Sequence, residues 1–307
     1  MTKNKDTNST SQIHFPVMSD NVLAILDPKQ GETYLDLTAG YGGHANQVLE
    51  RTLVSNQSVL VDRDQMAIDR LRNKFLGSGV QLIHKDFLTA AKELLEQKRT
   101  FDIVLADLGV SSPHLNTASR GFSFRFEAPL DMRMDQRQEL TAGTIVNDYP
   151  QKELEVILRN YGEEPKARQI AKLLVDNRPI ETTTKLASVV AQAWPGYSKV
   201  HPATRTFQAL RIAVNDELRL VKEVLPHLVD SLSPGGRLAI ITFHSLEDRI
   251  VKQYFSEIAG DRYDTDMRLL TKKPILPSQD EIVLNPRSRS AKLRAVAKIK
   301  NKKKGDA

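Results

Sequence analysis

Thr33-Tyr-Leu-Asp-Leu-Thr-Ala-Gly40-Tyr-Gly42-Gly43-His44-Ala45 decides the fold, because an apolar strand-like run ends there in a glycine-rich turn. A helix-like segment follows the turn. Glycines allow a tight turn and let backbone N–H groups approach a ligand, and the helix offers its positive N-terminal end. This pattern is typical of the ligand-binding edge of an α/β sheet.

A second apolar run, Ser58-Val-Leu-Val-Asp62, ends in an acidic residue twenty positions after Gly42. The next parallel strand is expected to finish at this point. A carboxylate in that position can accept hydrogen bonds from both hydroxyls of a ribose. The turn and the carboxylate together predict an adenosine pocket.

Two adenosine cofactors fit the glycines, and a third alternative is a glycine turn used only for packing. Gly40-x-Gly42-x-x-Ala45 matches the dinucleotide fingerprint with its permitted final alanine. Asp36, four positions before Gly40, favours S-adenosylmethionine instead. Its carboxylate would attract the ammonium and sulfonium of that cofactor and repel a pyrophosphate.

Composition narrows the class of protein. The 307-residue chain has a net charge of +6 and 40% hydrophobic residues, and this positive charge suits a polyanionic partner without establishing one. The absence of cysteine excludes disulfides, thiolate nucleophiles and cysteine-ligated metals. The opening segment is polar, and no apolar run approaches the roughly 20 residues that a membrane span needs. We therefore expect a cytoplasmic protein with no membrane partner.

Strand-like and helix-like segments alternate over the first third of the chain, which predicts a parallel sheet covered on both faces. The predicted strands are 33–38, 58–62, 80–84 and 101–107, and the predicted helices between them are 44–53, 65–75 and 89–97. The next hundred residues give only turns and helices, at 151–160, 165–176, 184–193 and 203–214. The alternation resumes with a helix at 215–230 and a strand from Arg237 to Phe243.

These patterns predict a Rossmann-like α/β domain with a helical insertion after the fourth strand. The expected divisions are a disordered tail at 1–12, a discontinuous sheet domain at 13–112 and 215–300, an inserted helical substrate-recognition domain at 113–214, and a basic tail at 301–307. Ligands of open α/β sheets bind outside the carboxyl ends of the strands, so the insertion would cover the cofactor.

One stretch of the insertion interleaves arginines with aromatic residues, running from Arg120 through Phe122, Phe124 and Phe126 to Asp135. Arginine can pair with phosphate, and an aromatic ring can stack on an unpaired base. We hypothesise that Phe122 or Phe124 stacks on the substrate. The alternative is a short strand in which the phenylalanines pack the insertion onto the sheet.

Six sequence blocks closely resemble, in order, the bacterial 16S rRNA (cytosine-N4)-methyltransferase family. They are residues 36–44, 107–114, 120–124, 129–135, 201–211 and 242–249. The resemblance implies a class I methyltransferase fold with a helical insertion and S-adenosyl-L-methionine as methyl donor. It also implies a specific acceptor, the 4-amino group of a decoding-centre (P-site) cytidine in the small ribosomal subunit.

Position by position, the resemblance also implies a set of cofactor-binding residues. They are Gly42, Gly43, His44, Asp62, Phe87, Asp107 and His114. The residue types agree for most of them. The glycines allow backbone approach, Asp62 suits the ribose, and Phe87 follows the third strand, where it can flank the adenine.

Asp107 is the catalytic candidate because it ends the fourth strand beside the expected methyl group. A cytosine amino group is a poor nucleophile, so the site must accept its N–H bonds and hold nitrogen, methyl carbon and sulfur in line. No metal is needed for this. Many other amino-group methyltransferases have two prolines and an aromatic residue after this position, whereas this chain has Leu-Gly-Val. Asp107 as a cofactor ligand alone is therefore the alternative.

The remaining candidates lie in the later blocks. Asp131 with Arg133, and His201 with Arg205, are candidate rRNA contacts, with a salt bridge inside the insertion as the alternative. His244 follows the fifth strand and either touches substrate or makes a structural hydrogen bond. The expected partner is 16S rRNA, in the 30S subunit or a late assembly intermediate, presenting a flipped or unpaired cytidine. A homodimer is left open.

Three other functions compete with this interpretation. A nicotinamide oxidoreductase could use the first 65 residues, although Asp36 opposes it. A non-catalytic RNA-binding module could use the arginine and phenylalanine stretch, but it would have no reason to keep a cofactor pocket. A small-molecule or protein methyltransferase would share the sheet and differ in the insertion.

Overall fold

A computed structural model describes residues 16–110, 115, 117–196, 200–259 and 265–299. Within them, seven strands form one sheet in the order β3-β2-β1-β4-β5-β7-β6. The strands are β1 (Tyr34–Asp36), β2 (Val59–Asp62), β3 (Gln81–His84), β4 (Phe101–Asp107), β5 (Leu232–Thr242), β6 (Met267–Leu269) and β7 (Lys292–Lys298). β1 to β5 run parallel, and β7 is antiparallel to both of its neighbours. This sheet confirms the expected Rossmann-like, class I fold.

The described helices fall into three groups along the chain. Four belong to the first half of the sheet: α1 (Ser19–Leu26), α2 (Gly43–Thr52), α3 (Gln65–Lys74) and α4 (Phe87–Glu96). Five lie between β4 and the helix that leads into β5: α5 (Ala142–Asp148), α6 (Gln151–Gly162), α7 (Ala167–Asp176), α8 (Thr183–Ala191) and α9 (Thr204–Asn215). Three accompany the last strands: α10 (Glu217–Asp230), α11 (Ser245–Ile258) and α12 (Gln279–Leu284).

The sheet is buried on both faces because successive side chains of a strand point to opposite sides. Leu35 of β1 packs with α4, α10 and α11, whereas its neighbour Tyr34 packs with α1, α2 and α3. Both side chains are fully buried. Apolar residues at consecutive positions therefore fill two cores, which explains why the parallel strands read as continuous apolar runs.

β5 begins five residues earlier than the sequence predicted, at Leu232 instead of Arg237. Pro234-Gly-Gly, which the sequence suggests as a turn before this strand, is instead an irregularity inside it, because Phe101 pairs with Leu232 while Ile103 pairs with Arg237. At Gly236 a Cβ atom would come within 3.0 Å of the Phe101 carbonyl oxygen. Only glycine permits this close approach of the two strands.

The five helices of the insertion, α5 to α9, enclose a separate apolar core that includes Leu158, Ile170 and Leu210. Buried polar contacts also hold the parts of the insertion together. The Asn215 side chain accepts a hydrogen bond from Met134 N at 2.8 Å and donates one to the Met132 carbonyl at 2.7 Å. These bonds fix the loop that precedes α5 against the end of α9.

The sequence missed several elements, namely helices α1, α5, α11 and α12 and strands β6 and β7. β6 and β7 lie at the antiparallel edge, outside the strand and helix alternation that the prediction used. Of the described residues, no helix is both long and apolar enough to cross a membrane.

Candidate functional site

A cavity of about 630 Å³ lies at the carboxyl ends of β1 and β4, between the sheet and the helical insertion. The strand order reverses between these two strands, since β1 is followed outward by β2 and β4 by β5. Such a reversal leaves a crevice where open α/β sheets bind their ligands. The cavity has one wall of strand ends and another built from the insertion and the segments that follow β5.

The glycine turn forms part of the first wall. Gly40 and Gly43 line the cavity, and α2 begins at Gly43, so the positive end of the helix faces the cavity. Gly42 does not line it. This residue has φ +71°, and a Cβ atom there would lie 2.8 Å from the ring of Phe75. Gly42 is therefore required for packing and for the left-handed backbone, and its contact with a cofactor stays a prediction.

Asp62 at the end of β2 holds this turn in place. Its carboxylate accepts hydrogen bonds from Gly40 N and Asp64 N, both at 2.8 Å. Asp62 also lines the cavity, as expected for a ribose ligand. The same carboxylate thus links β2 to the turn and presents negative charge to a bound molecule.

His44 and Asp107 face each other across the first wall, with 3.7 Å between His44 Nε2 and Asp107 Oδ2. Both residues line the cavity. His44 Nε2 and Asp107 Oδ1 are buried, and neither has a hydrogen-bond partner within the described part of the chain. Because burying a polar atom without a partner is costly, these two atoms indicate a polar ligand at this position.

Asp36 lies behind this wall and does not line the cavity. It is 2% exposed, and burial raises the pKa of its carboxyl to about 6 despite hydrogen bonds from the Tyr34 hydroxyl and Thr38 N. The sequence argument placed this carboxylate beside the ligand. The structure instead places Asp36 behind the residues that line the cavity. There its carboxylate interacts electrostatically with His44, which does line the cavity.

Phe87 lines the cavity as the first residue of α4. The preceding Asp86 caps this helix, and its carboxylate accepts hydrogen bonds from Leu88 N and Thr89 N, both at 3.0 Å. The cap fixes where the helix starts and therefore where the Phe87 ring lies. This agrees with an aromatic residue beside an adenine.

The second wall contains a buried ion pair between Arg211 of α9 and Glu217 of α10. Arg211 Nε and Nη2 donate to the two carboxylate oxygens at 2.9 and 2.8 Å. Burial opposes the charge of Arg211, but the Glu217 carboxylate raises the pKa of its guanidinium above the usual value. Arg211 Nη1 has no hydrogen bond to the residues that the structure describes, so it remains available as a donor in the cavity.

His244 and Glu247 complete this wall at the start of α11. His244 Nδ1 accepts from Glu247 N at 3.4 Å, and the Glu247 carboxylate accepts from Phe243 N at 2.9 Å. Burial raises the pKa of Glu247, but the hydrogen bond and charge of His244 hold it below its usual value. His244 therefore lines the cavity and also makes a structural hydrogen bond, which are the two roles that the sequence left open.

Glu217, His244 and Glu247 bring their ligand atoms within 4.8 Å of one another, a spacing that could hold a metal ion. Arg211 already binds both oxygens of Glu217. The guanidinium compensates the carboxylate and repels a second cation. The group is thus a charge network that shapes the cavity.

The three phenylalanines of the aromatic stretch lie in different surroundings. Phe122 lines the cavity and is buried in the core of the insertion. Phe124 lines the cavity and stacks on His201, with 4.4 Å between ring centroids. Phe126 is 56% exposed. Residues 121–126 are not a strand, so the alternative of a short packing strand is wrong.

Four of the candidate substrate residues, Asp131, Arg133, His201 and Arg205, are outside the cavity lining. Asp131 and Arg133 pair with each other at 2.8 Å, which is the salt bridge that the sequence allowed as an alternative. Arg205 is exposed on α9. His201 touches the cavity only through its stack on Phe124, and the predicted cofactor residue His114 lies outside the described residues.

Comparison with known proteins decides the family. The profile of the MraW methylase family matches residues 11–299. The chain belongs to this family. It is 49% identical over 290 residues to ribosomal RNA small subunit methyltransferase H of Cyanothece sp., covering 94% of this chain and 95% of the relative. The protein with that name from Heliobacterium mobile is 44% identical over 308 residues, covering 93% and 99%.

The likeness to solved structures that we describe is distant. An rRNA methylase from Streptococcus thermophilus has a TM-score of 0.40 and 11% identity over 92% of this chain and 94% of its own. This likeness supports no argument about function. The family assignment confirms that the chain is a methyltransferase with S-adenosylmethionine as donor. The first wall fits this cofactor, because it combines carboxylates for its cationic groups with the unpaired atoms of His44 and Asp107.

Several cavity residues were missed from the sequence. Arg211 and Glu247 lie inside family blocks but were not singled out, and Glu217 follows one of those blocks. A buried Arg and Glu six positions apart, across the junction of two helices, was the available signal. Arg287 and Ser290 come from a 3₁₀ helix near the end of the described chain, and we find no sequence pattern that predicts their place in the cavity.

Proposed function

We propose that this protein transfers a methyl group from S-adenosylmethionine to the exocyclic N4 amino group of a cytidine in 16S rRNA of the small ribosomal subunit. The observation that carries the proposal is a single cavity with two unlike walls. One fits the cofactor, and the other combines aromatic rings with a fixed hydrogen-bond donor. The names of the relatives, which specify small-subunit ribosomal RNA, support the choice of substrate.

Recognition of the base would use the second wall. Cytosine presents two acceptors, N3 and O2, beside its amino group, and Arg211 Nη1 is a donor held in a fixed orientation by Glu217. Phe124 offers its ring for stacking, supported from behind by His201. A base held in this way must be unpaired or flipped, because a duplex would bury its amino group.

The chemistry would be centred on Asp107. The bound cofactor supplies an electrophilic methyl group, so the protein must align the amino nitrogen with it. Asp107 Oδ1 is a buried acceptor without a partner among the described residues, and it can accept an N–H bond of the amino group. Accepting that bond orients the nitrogen lone pair and draws off the proton once the new bond has formed.

Several finer assignments belong to the same proposal. Residues 113–214 serve as the substrate-recognition domain, and 13–112 with 215–300 serve as the methyltransferase domain. The target is the P-site cytidine of the decoding centre, presented by the 30S subunit or a late assembly intermediate. In this proposal the protein binds RNA in the cytoplasm. The proposal is compatible with a monomer and with a homodimer.

The test is methylation of 30S subunits from cells that lack this gene. We would incubate them with the purified protein and S-adenosylmethionine, digest the rRNA and search for N4-methylcytidine by mass spectrometry. The modified nucleoside should appear with the wild-type protein and be absent with Asp107→Ala. A methylated nucleoside of another kind, or no rRNA methylation despite cofactor binding, would contradict the proposal.

A further inference from the structure

His44 and Asp107 lie side by side on the first wall without a hydrogen bond between them. His44 Nε2 is 3.7 Å from Asp107 Oδ2, which is longer than a hydrogen bond. His44 is 7% exposed, and its Nε2 has no hydrogen-bond partner in the part of the chain that the structure describes. A carboxylate and a neutral imidazole nitrogen can both accept a proton, so the space between them suits one.

The backbone sets this separation. His44 is the second residue of α2, which begins at Gly43 directly after the left-handed Gly42. Asp107 is the last residue of β4, and its backbone N–H donates to Thr38 Oγ1 at 2.6 Å. The two side chains are therefore brought together by the glycine turn and the end of the strand, and their approach does not depend on a bond between them.

The proposed reaction releases one proton beside this pair. When the bond between the amino nitrogen and the methyl carbon forms, the carbon–sulfur bond breaks and its electron pair stays on sulfur. The positive charge thereby moves to the nitrogen. The nitrogen then gives a proton to Asp107, and the electron pair of the broken N–H bond returns to nitrogen. Asp107 must lose this proton before it can accept another one.

We propose that His44 takes this proton from Asp107 through Nε2, so that the two side chains form a proton relay. The inference rests on the proposed function, because that function brings the amino group to Asp107. A half-turn about the Cβ–Cγ bond of Asp107 carries the proton from Oδ1 to the side of Nε2, and an approach of about 1 Å makes the hydrogen bond. The O–H bond then breaks, an N–H bond forms on Nε2, and Asp107 is again a carboxylate.

The charges around His44 favour protonation after methyl transfer. The sulfonium of the bound cofactor places a positive charge in the same cavity, which opposes a second positive charge on His44. Methyl transfer removes the charge from sulfur. The carboxylates of Asp107 and the buried Asp36 then stabilise an imidazolium on His44. Asp36 is held in place by hydrogen bonds from the Tyr34 hydroxyl and Thr38 N.

The first test measures ligand binding without RNA. Calorimetry at pH 6, 7 and 8 would give the Kd values of S-adenosylmethionine and of S-adenosylhomocysteine, which lacks the methyl group and its charge. The two molecules share their amino and carboxyl groups, so the effects of these groups largely cancel in the ratio of the two Kd values. If His44 is protonated only without the sulfonium, S-adenosylhomocysteine should gain affinity relative to S-adenosylmethionine by about five- to tenfold between pH 8 and pH 6.

Three variants identify the group that takes up the proton. His44→Gln should have a Kd ratio that does not change with pH. His227→Gln is the matched control and should behave like the wild type, because His227 lies in the last turn of α10 and does not line the cavity. Asp36→Asn should keep most of the pH dependence, since it retains His44. Melting temperatures check the fold of each variant.

The second test measures the chemical step. In single-turnover methylation of 30S subunits at saturating cofactor, His44→Gln should be about 30- to 100-fold slower than the wild type at pH 8, because the proton loses its acceptor. Saturation with cofactor removes any effect of the substitution on cofactor affinity. His227→Gln should keep the wild-type rate.

A Kd ratio of the wild type that does not change with pH would overturn the relay. The same pH dependence in His44→Gln as in the wild type would overturn it too, as would its loss in Asp36→Asn alone, because another group would then take up the proton. So would a normal rate of His44→Gln at saturating cofactor. Absence of N4-methylcytidine from 30S subunits treated with the wild-type protein contradicts the proposed function instead, and the Kd ratios do not depend on that result.

Discussion

The two walls of the cavity differ in how the chain builds them. The first wall, which we call the cofactor wall, comes from the stretch of chain between the end of β1 and the end of β4, in which each strand ends at the same edge of the sheet. The second wall, which we call the substrate wall after the function proposed above, combines the aromatic loop before α5, the junction of α9 and α10, and the start of α11. Local patterns therefore define the first wall, whereas tertiary packing assembles the second.

The walls also differ in their charges. On the cofactor wall, His44 Nε2 and Asp107 Oδ1 are buried without partners among the described residues. On the substrate wall, the charged groups lie closer together: Arg211 is 2.8 Å from Glu217, and His244 Nε2 is 3.1 Å from Glu247 Oε1, compared with 3.7 Å between His44 and Asp107. Unpaired polar atoms favour a ligand that satisfies them, and buried pairs fix side-chain positions. The comparison suggests that chemistry depends on the first wall and base selection on the second.

The largest effect should come from Asp107. Asp107→Asn removes the charged acceptor on the cofactor wall, and we expect the single-turnover rate of methylation to fall by about 100- to 10,000-fold. The fold should persist, because the backbone N–H of Asp107, rather than its carboxylate, bonds to Thr38 Oγ1. Rapid quenching of a reaction between saturating enzyme and 30S subunits measures the rate.

Cofactor affinity decides what the Asp107 result means. If Asp107→Asn binds S-adenosylmethionine within a few-fold of the wild type, the lost rate belongs to the chemical step. A variant with much weaker cofactor binding and a normal rate at saturating cofactor would show that Asp107 only holds the cofactor. That result would contradict the assignment of the chemical step to Asp107 on the cofactor wall.

A smaller effect should follow from removing the aromatic stack of the substrate wall. Phe124→Ala should lower kcat/KM for 30S subunits about 30-fold, equivalent to about 2 kcal/mol of base stacking. S-adenosylmethionine affinity should not change. Phe126→Ala is the matched control, since Phe126 is exposed two positions away and does not line the cavity. Equal losses in the two variants would contradict a specific stack on Phe124.

The sequence located several residues of the cofactor wall because their signals are local, and their contacts with the cofactor stay a prediction. The glycine turn, the strand-end carboxylates and the start of α4 all lie within a few residues of a strand whose apolar run is visible in the chain. Asp36 shows the limit of this reasoning. Spacing placed it beside the turn, but the pleat of β1 turns its side chain into a buried layer behind the cavity.

The substrate wall could be predicted only in part. The interleaving of arginines and phenylalanines pointed to Phe122 and Phe124. No local feature distinguishes these two from Phe126, whose side chain is exposed. Asp131 and Arg133 looked like substrate contacts and instead pair with each other. The role of Arg211 depends on Glu217 across a helix junction, a contact that becomes visible only when α9 and α10 pack.

A moderate effect on cofactor binding is expected for Asp62. Asp62→Asn removes one of the acceptors that serve Gly40 N and Asp64 N, so the turn should be held less firmly. We expect the Kd for S-adenosylmethionine to rise about tenfold, or about 1.4 kcal/mol, with an unchanged rate at saturating cofactor. Isothermal titration calorimetry measures the affinity.

Asp69→Asn is the control for this substitution, because Asp69 is exposed on α3 and pairs with Gln65 and Arg72 of its own helix. It should leave the affinity unchanged. A lower rate of Asp62→Asn at saturating cofactor would contradict this prediction, because Asp62 would then affect the chemical step as well as cofactor binding.

The smallest effect on methylation is expected for the buried Asp36, whose substitution should change stability instead. In the unfolded chain this carboxyl should lose its proton near the ordinary pKa of 3.8, whereas in the folded protein burial raises its pKa to about 6. Between these values the folded state binds more protons, so its stability falls as pH rises through this window and stays reduced above it. Asp36→Asn carries no such charge, and because a shift of about two pKa units corresponds to about 3 kcal/mol, it should be more stable than the wild type at neutral pH by up to about 3 kcal/mol.

Denaturant titrations at pH 4 and pH 7.5 would measure this difference. The advantage of Asp36→Asn should vanish at pH 4, where the wild-type carboxyl is protonated in the folded state. Tyr34→Phe removes the hydroxyl that donates to Asp36 at 2.8 Å and lowers its pKa, so the loss of stability with rising pH should become larger and extend to higher pH. A pH-independent difference between Asp36→Asn and the wild type would mean that Asp36 is charged throughout, and its negative charge would then belong to the cofactor wall itself.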